Sequence, residues 1–180
     1  MAQTATIYNI NIDLSDMDRG VYETLDLRVA RHPSESAEYM LTRVLAYCLE
    51  YQEGLVFTEG VSSVDEPALV VRDLTGKVTA WIEVGMPDAP RLHRGSKLAG
   101  RVAVYTHRDP RQLLAQLEGE RIHRGEEIPI YTFSRTTIEE IAALIGRRTS
   151  LSLSVTDREI YLSMGEQSFT LPVVEHRITR

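Results

Sequence analysis

Cysteine is almost missing from this chain: Cys48 stands alone among 180 residues, which removes disulfides and cysteine-based zinc sites and fits a reducing compartment. Long apolar runs are missing too. No segment approaches the roughly 18–20 apolar residues needed to cross a bilayer, and the opening MAQTATIYNI has no basic stretch leading into an apolar one. A soluble cytoplasmic protein with no membrane partner is the expectation. The five histidines, His32, His93, His107, His123 and His176, are scattered without His-x-His or His-x-x-x-His spacing, so zinc-hydrolase chemistry has little support. No Gly-x-Ser-x-Gly elbow, Walker loop or dinucleotide fingerprint occurs, which sets aside serine-hydrolase, P-loop and dehydrogenase readings. Internal repeats and low-complexity segments are absent as well.

What is there suffices for a core: 43% of residues are hydrophobic, and a chain of this length is most simply one domain. The net charge of −6 opposes non-specific attraction to nucleic-acid phosphates. Its distribution runs the other way. Between Arg91 and Arg124 there are eight Lys or Arg against three acids. Either this is a basic face on an acidic body, suited to an anionic ligand, or the charges sit on solvated helix faces that share no surface.

Hydropathy periods place the elements. Tyr8, Ile10, Ile12 and Leu14 alternate with Asn9, Asn11 and Asp13, and Val21, Leu25, Leu27 and Val29 recur on odd positions after a turn at residues 15–20, so the chain opens on a long hairpin. Pro33 stops it, Ser34 is placed to cap a helix with Glu35 and Glu38 in its first turn, and Ala37, Met40, Leu41, Val44, Leu45, Cys48 and Leu49 form one helical stripe. Strands are predicted at 55–58, 68–72 and 78–84, a helix over about 91–101, and a buried strand over 102–106. Asp109-Pro110 opens a short helix to about Leu117, residues 128–133 read as a strand, and Thr136-Thr137-Ile138-Glu139 matches a capping box for a helix ending at Gly146. A second hairpin follows over 151–155 and 160–162, with Phe169 to Val174 as an added strand.

Two acidic stops bracket the middle of this pattern: Asp65-Glu66-Pro67 before one strand, and Glu83 within Trp81-Ile82-Glu83-Val84-Gly85 on the next. Carboxylates at strand ends hold divalent cations. Nucleases of the PD-(D/E)XK type place an acid at the start of one strand and an acid-x-Lys on its neighbour, holding Mg²⁺ beside the scissile phosphate. Here the lysine position is Gly85. The plainer alternative makes Asp65-Glu66-Pro67 a turn and Glu83 a surface salt-bridge partner of Arg91 or Arg94.

Ala30-Arg31-His32-Pro33-Ser34-Glu35, Asp65-Glu66-Pro67, Trp81-Ile82-Glu83-Val84-Gly85, Pro87 and Arg91 together resemble the YaeQ family of bacterial proteins, over the full length of the chain. The resemblance implies an α/β fold with a variant PD-(D/E)XK nuclease-like core, α-β-β-β-α-β, and additional N- and C-terminal β-hairpins. In this sequence the core would cover about residues 34–106 of a single domain over 1–180, with β-rich elaborations at 1–33 and 128–180. The family also carries an association with transcription elongation. Carried over, the nuclease pattern gives Asp65 or Glu66 as the first acid and Glu83 as the second, both as ligands to Mg²⁺ or Mn²⁺, with Glu35 or Glu38 as an extra acid. Arg91 and Arg94, three apart and so on one helix face, are the substitutes for the missing lysine, with Lys97 next. An arginine with a pKa above about 12 can clamp a phosphate but cannot act as a neutral base. Two functions are therefore expected: a metal-dependent phosphodiesterase acting on nucleic acid, or a non-catalytic module that binds nucleic acid or a transcription-related protein; a monomer is compatible with either, and the sequence leaves the oligomeric state open.

Overall fold

The structure, a computed structural model, describes residues 4–59 and 65–179. In chain order its elements are β1 (Thr6–Asp16), β2 (Val21–Arg31), α1 (Ala37–Leu49), β3 (Leu55–Phe57), β4 (Leu69–Arg72), β5 (Val78–Val84), α2 (Ala89–Leu98), β6 (Arg101–Thr106), α3 (Pro110–Leu117), β7 (Pro129–Thr132), α4 (Arg135–Ala142), β8 (Arg148–Thr156), β9 (Glu159–Met164), β10 (Gln167–Pro172) and β11 (Val174–Arg177). It is a mixed α/β fold with two sheets and four helices among the described residues. The chain divides into two compact units, Met1–Leu41 with Phe133–Val174, and Thr42–Thr132 with Glu175–Arg180.

The first unit holds a five-stranded sheet in the order β10-β9-β8-β1-β2. The predicted opening hairpin is present, its register running without a break from Thr6↔Arg31 to Asp16↔Val21. The predicted second hairpin is present as β8 and β9. Asp157 and Arg158 turn it with φ of 51° and 59°, the left-handed pair that a two-residue hairpin turn demands. Asp18 supports that turn from the other hairpin, its carboxylate accepting the N–H of Asp157 and of Arg158, each at 2.8 Å. β8 lies parallel beside β1, so the hairpins from the two ends of the chain form one sheet. Alternation is clean: Ile10, Ile12, Leu14, Leu25, Leu27, Val29, Leu151, Leu153 and Val155 are buried, while Asn9, Asp13, Thr24, Asp26, Arg28 and Ser152 are exposed.

The second unit holds a six-stranded sheet in the order β11-β7-β6-β5-β4-β3. β3, β4 and β5 are antiparallel neighbours, and β6 and β7 then run parallel to β5, reached through α2 and α3. Trp81, Leu92, Val102, Val104, Leu113, Leu117 and Ile130 are buried together in one cluster. Both faces of the central strands are covered, which is why β6 reads as an apolar run rather than an alternation.

Helix caps differ from expectation in two places, and α2 starts at Ala89 and ends at Leu98, two and three residues earlier than expected. Ser36, not Ser34, caps α1, its Oγ accepting from the Tyr39 N–H at 3.1 Å. Ser34 instead hydrogen-bonds the His32 ring at 2.8 Å within a tight turn. For α4 the cap is Ser134, whose Oγ accepts from the Thr137 N–H, and Glu139 pairs with Arg135 at 3.0 Å rather than reaching back to the helix start.

Candidate functional site: a buried carboxylate clasped by Arg91

Glu83 lies on β5, a strand buried along nearly its whole length. Strand alternation puts it on the same side as Trp81, two residues earlier, and Trp81 Nε1–H donates to Glu83 Oε1 at 2.9 Å. The loop after β5 sets the third partner. Asp88 caps α2 by accepting the Arg91 N–H at 3.0 Å, and Pro90 supplies a fixed φ in the first turn. With the helix start held there, Arg91 reaches back over the strand: its Nε donates to Glu83 Oε2 at 3.2 Å and its Nη2 to Oε1 at 3.1 Å, the two-pronged fit of a guanidinium on a carboxylate. The same Nη2 donates to the Glu66 carbonyl at 2.6 Å, tying the approach to β4 to this cluster.

Glu83 is 4% exposed, so the surface salt bridge considered above is a buried one. Burial pushes its carboxyl above the usual range, against the pull of Arg91 and the Trp81 hydrogen bond, and the nearby Asp88 carboxylate adds to the rise. The other acids behave differently. Asp65 pairs with Arg94 at 2.7 Å in the open, and Glu66 stands 3.6 Å from Arg72 with both side chains more than a third exposed. Arg91 and Arg94 thus share a helix face as expected, one serving the inner acid and the other the outer. Glu35 belongs to the other unit, where its carboxylate accepts the His32 N–H at 3.1 Å and its carbonyl accepts from Arg31 Nε at 2.9 Å.

A magnesium shell needs about six oxygens near 2.1 Å in octahedral array. Both Glu83 oxygens already accept N–H groups, and among the described residues no three His, Cys, Asp or Glu side chains gather into a cation-sized group. As arranged, these residues do not fit the ion. Gly85 explains itself by geometry: its φ is +96°, and its N–H donates to the Tyr105 carbonyl at 2.9 Å, fastening the end of β5 to β6. A lysine there would carry a Cβ in a conformation that L-residues avoid. Gly85→Lys is expected to destabilise the fold by about 1–2 kcal/mol without creating metal-dependent cleavage, as read by denaturant melts and a plasmid-nicking assay.

Two features escaped the sequence reading. Glu50, at the end of α1, accepts from Arg101 Nη2 at 2.7 Å and from the Tyr105 hydroxyl at 2.6 Å, forming a second acid–guanidinium cluster in which the acid and the phenol are buried and the guanidinium is partly exposed. Burial, and then the Glu50 carboxylate, hold the Tyr105 phenol well above its ordinary range. Gly95 on α2 faces the Trp81 ring so closely that a Cβ there would lie 2.6 Å from it. A glycine in mid-helix is the signal that could have shown this, because it costs about 1 kcal/mol unless close approach requires it.

Of the eight cations between Arg91 and Arg124, five are committed internally: Arg91 to Glu83, Arg94 to Asp65, Arg101 to Glu50, Arg111 to Asp109, and Arg124 to the Ser96 and Ala99 carbonyls. Lys97 and Arg121 have no acid partner among the described residues. They line a cleft with His93, Glu120, Ala89 and Pro90. His93 Nδ1 accepts the His123 N–H at 3.1 Å, so the neutral ring keeps its proton on Nε2 and presents a third donor beside Lys97 and Arg121.

A family model described as YaeQ protein matches residues 1–173. The chain is 30% identical over 164 residues to the uncharacterized protein YaeQ of Escherichia coli K12, covering 91% of each. The same identity and coverage hold for its counterpart in Salmonella typhi. Among solved structures, the crystal structure of YaeQ protein from Pseudomonas syringae superposes with a TM-score of 0.87 at 31% identity over 97% of each chain. That of YaeQ protein from Xanthomonas axonopodis pv. citri gives 0.89 at 29% identity, over 98% of this chain and all of that one.

Proposed function

The chain belongs to the YaeQ family, and from that premise we propose that it is a nuclease-like α/β domain that binds a nucleic-acid strand without cutting it. The succession helix, three antiparallel strands, helix and parallel strand supports the kinship with PD-(D/E)XK nucleases. One observation carries the non-catalytic half: the carboxylate in the place of the second metal-binding acid is closed at both oxygens by Arg91 and Trp81. With Gly85 in the lysine's place, these two positions offer neither the usual base nor an open second acid to hydrolysis. The binding half is supported by the Lys97–Arg121–His93 cleft, whose three donor groups suit the oxygens of a backbone phosphate. The remaining charge is too small for indiscriminate attraction, so contact with two or three phosphates, and a shallow dependence on salt, is expected.

The test is a titration of labelled single- and double-stranded DNA and RNA, with Mg²⁺ or Mn²⁺ present. Expected are intact oligonucleotides, binding that weakens as salt rises, and a loss of about tenfold in affinity for Lys97→Glu or Arg121→Glu. Metal-dependent cleavage that Glu83→Gln abolishes would reinstate the hydrolase. No binding to any of the four strands would end the binding reading.

A further inference from the structure

β2 ends its sheet, and its outer edge is unusual among the edges of this molecule. It is 11 residues long and its ladder with β1 runs without a bulge, whereas β3 and β11 are three and four residues long and β10 closes on Pro172. Among the described residues, 25–29 make no backbone hydrogen bond outside the β1 ladder. A long flat edge is a template for another strand.

The sequence along that edge, Leu25-Asp26-Leu27-Arg28-Val29, reads as the same chemistry in both directions about Leu27, except that acid and base exchange. We infer that two copies of this chain pair antiparallel along β2, with Leu27 on the two-fold axis. In that register Asp26 of each copy stands opposite Arg28 of the other, twice, on the exposed face. Leu25 stands opposite Val29, and Leu27 opposite itself, on the face that is already buried in each copy. Such a contact is isologous and closed, so it stops at a dimer.

The registers next to it are worse. A shift that moves the axis to Asp26 sets two carboxylates face to face, and a shift to Arg28 sets two guanidinium groups face to face. An odd shift turns every side chain of one copy to the wrong face. Protection of the edge is the competing purpose for charge there, but a guarded edge works by repelling a second copy. Here the two signs meet as opposites in the symmetric register centred on Leu27, which also keeps the faces aligned. Asp26 and Arg28 are exposed, and neither has an ion-pair partner among the described residues, so both remain available.

The experiment is sedimentation of the full chain from low micromolar to near millimolar concentration. The average mass is expected to rise from 20.4 kDa toward twice that value. Asp26→Arg and Arg28→Asp, each confirmed folded by circular dichroism, are expected to weaken association about tenfold or more by placing like charges opposite. The double variant Asp26→Arg/Arg28→Asp restores both pairs and is expected to recover wild-type association. A wild-type chain that stays monomeric throughout, single variants that associate as well as wild type, or a double variant no better than the singles would each overturn the pairing.

Discussion

Arg91→Ala is expected to destabilise the protein by about 3–5 kcal/mol at neutral pH, because it leaves the Glu83 carboxylate buried without its counter-charge. Arg91 is partly solvent-accessible, so the lower end of that range is the closer expectation. The pH dependence follows from the raised carboxyl of Glu83. A carboxyl held above its unfolded value takes up a proton more readily in the folded chain. Its contribution to stability is therefore full below the unfolded value and is lost as pH climbs through the folded one. Without Arg91 the folded value rises further, so the variant loses stability over a wider window. Urea unfolding should show the gap between wild type and Arg91→Ala widening as pH rises above the ordinary carboxylate range. Adding Glu83→Gln should recover part of the loss by removing the stranded charge. A change below about 0.5 kcal/mol, flat with pH, would mean that water reaches the pair and that it behaves as a surface bridge.

Much of this cluster was legible beforehand. Period-two alternation set Glu83 opposite Ala80, Ile82 and Val84 and beside Trp81, and the three-residue spacing put Arg91 and Arg94 on one helix face. Local pattern could not show that β5 is an interior strand with α2 across its second face, so the side that looked free for solvent is closed. Sheet neighbours are set by contacts remote in sequence, and the same reason hid β8 lying parallel beside β1. Nor does a serine announce which of several adjacent caps will win. Ser34 lost α1 to Ser36 because the His32 ring holds its hydroxyl. Glu50 was hidden in another way: it follows directly on an apolar helical stripe, and its partners Arg101 and Tyr105 lie more than fifty residues on.

Gly95→Ala is expected to destabilise the protein by about 2 kcal/mol although it improves the helix. On propensity alone, alanine in mid-helix would gain up to about 1 kcal/mol over glycine. Against that gain stands overlap: the added methyl would sit 2.6 Å from Trp81 Cδ1 and 2.7 Å from both Cγ and Nε1. The ring has nowhere to go, because it is 3% exposed and its Nε1–H is bonded to Glu83. Relief must come from lifting α2, which carries Arg91 one turn earlier and would stretch the bidentate contact as well. The two residues are therefore coupled, and their effects should not add. Trp81→Leu removes the obstructing ring at the cost of a cavity and a lost hydrogen bond. In that background Gly95→Ala should cost much less than in wild type, or become stabilising as the helix gain is left unopposed. Equilibrium unfolding of all four proteins, read as midpoints at constant m, measures the coupling. Stabilisation by Gly95→Ala in the wild-type background would show that helix and strand have room to part, and that the clasp on Glu83 does not depend on how closely α2 is seated.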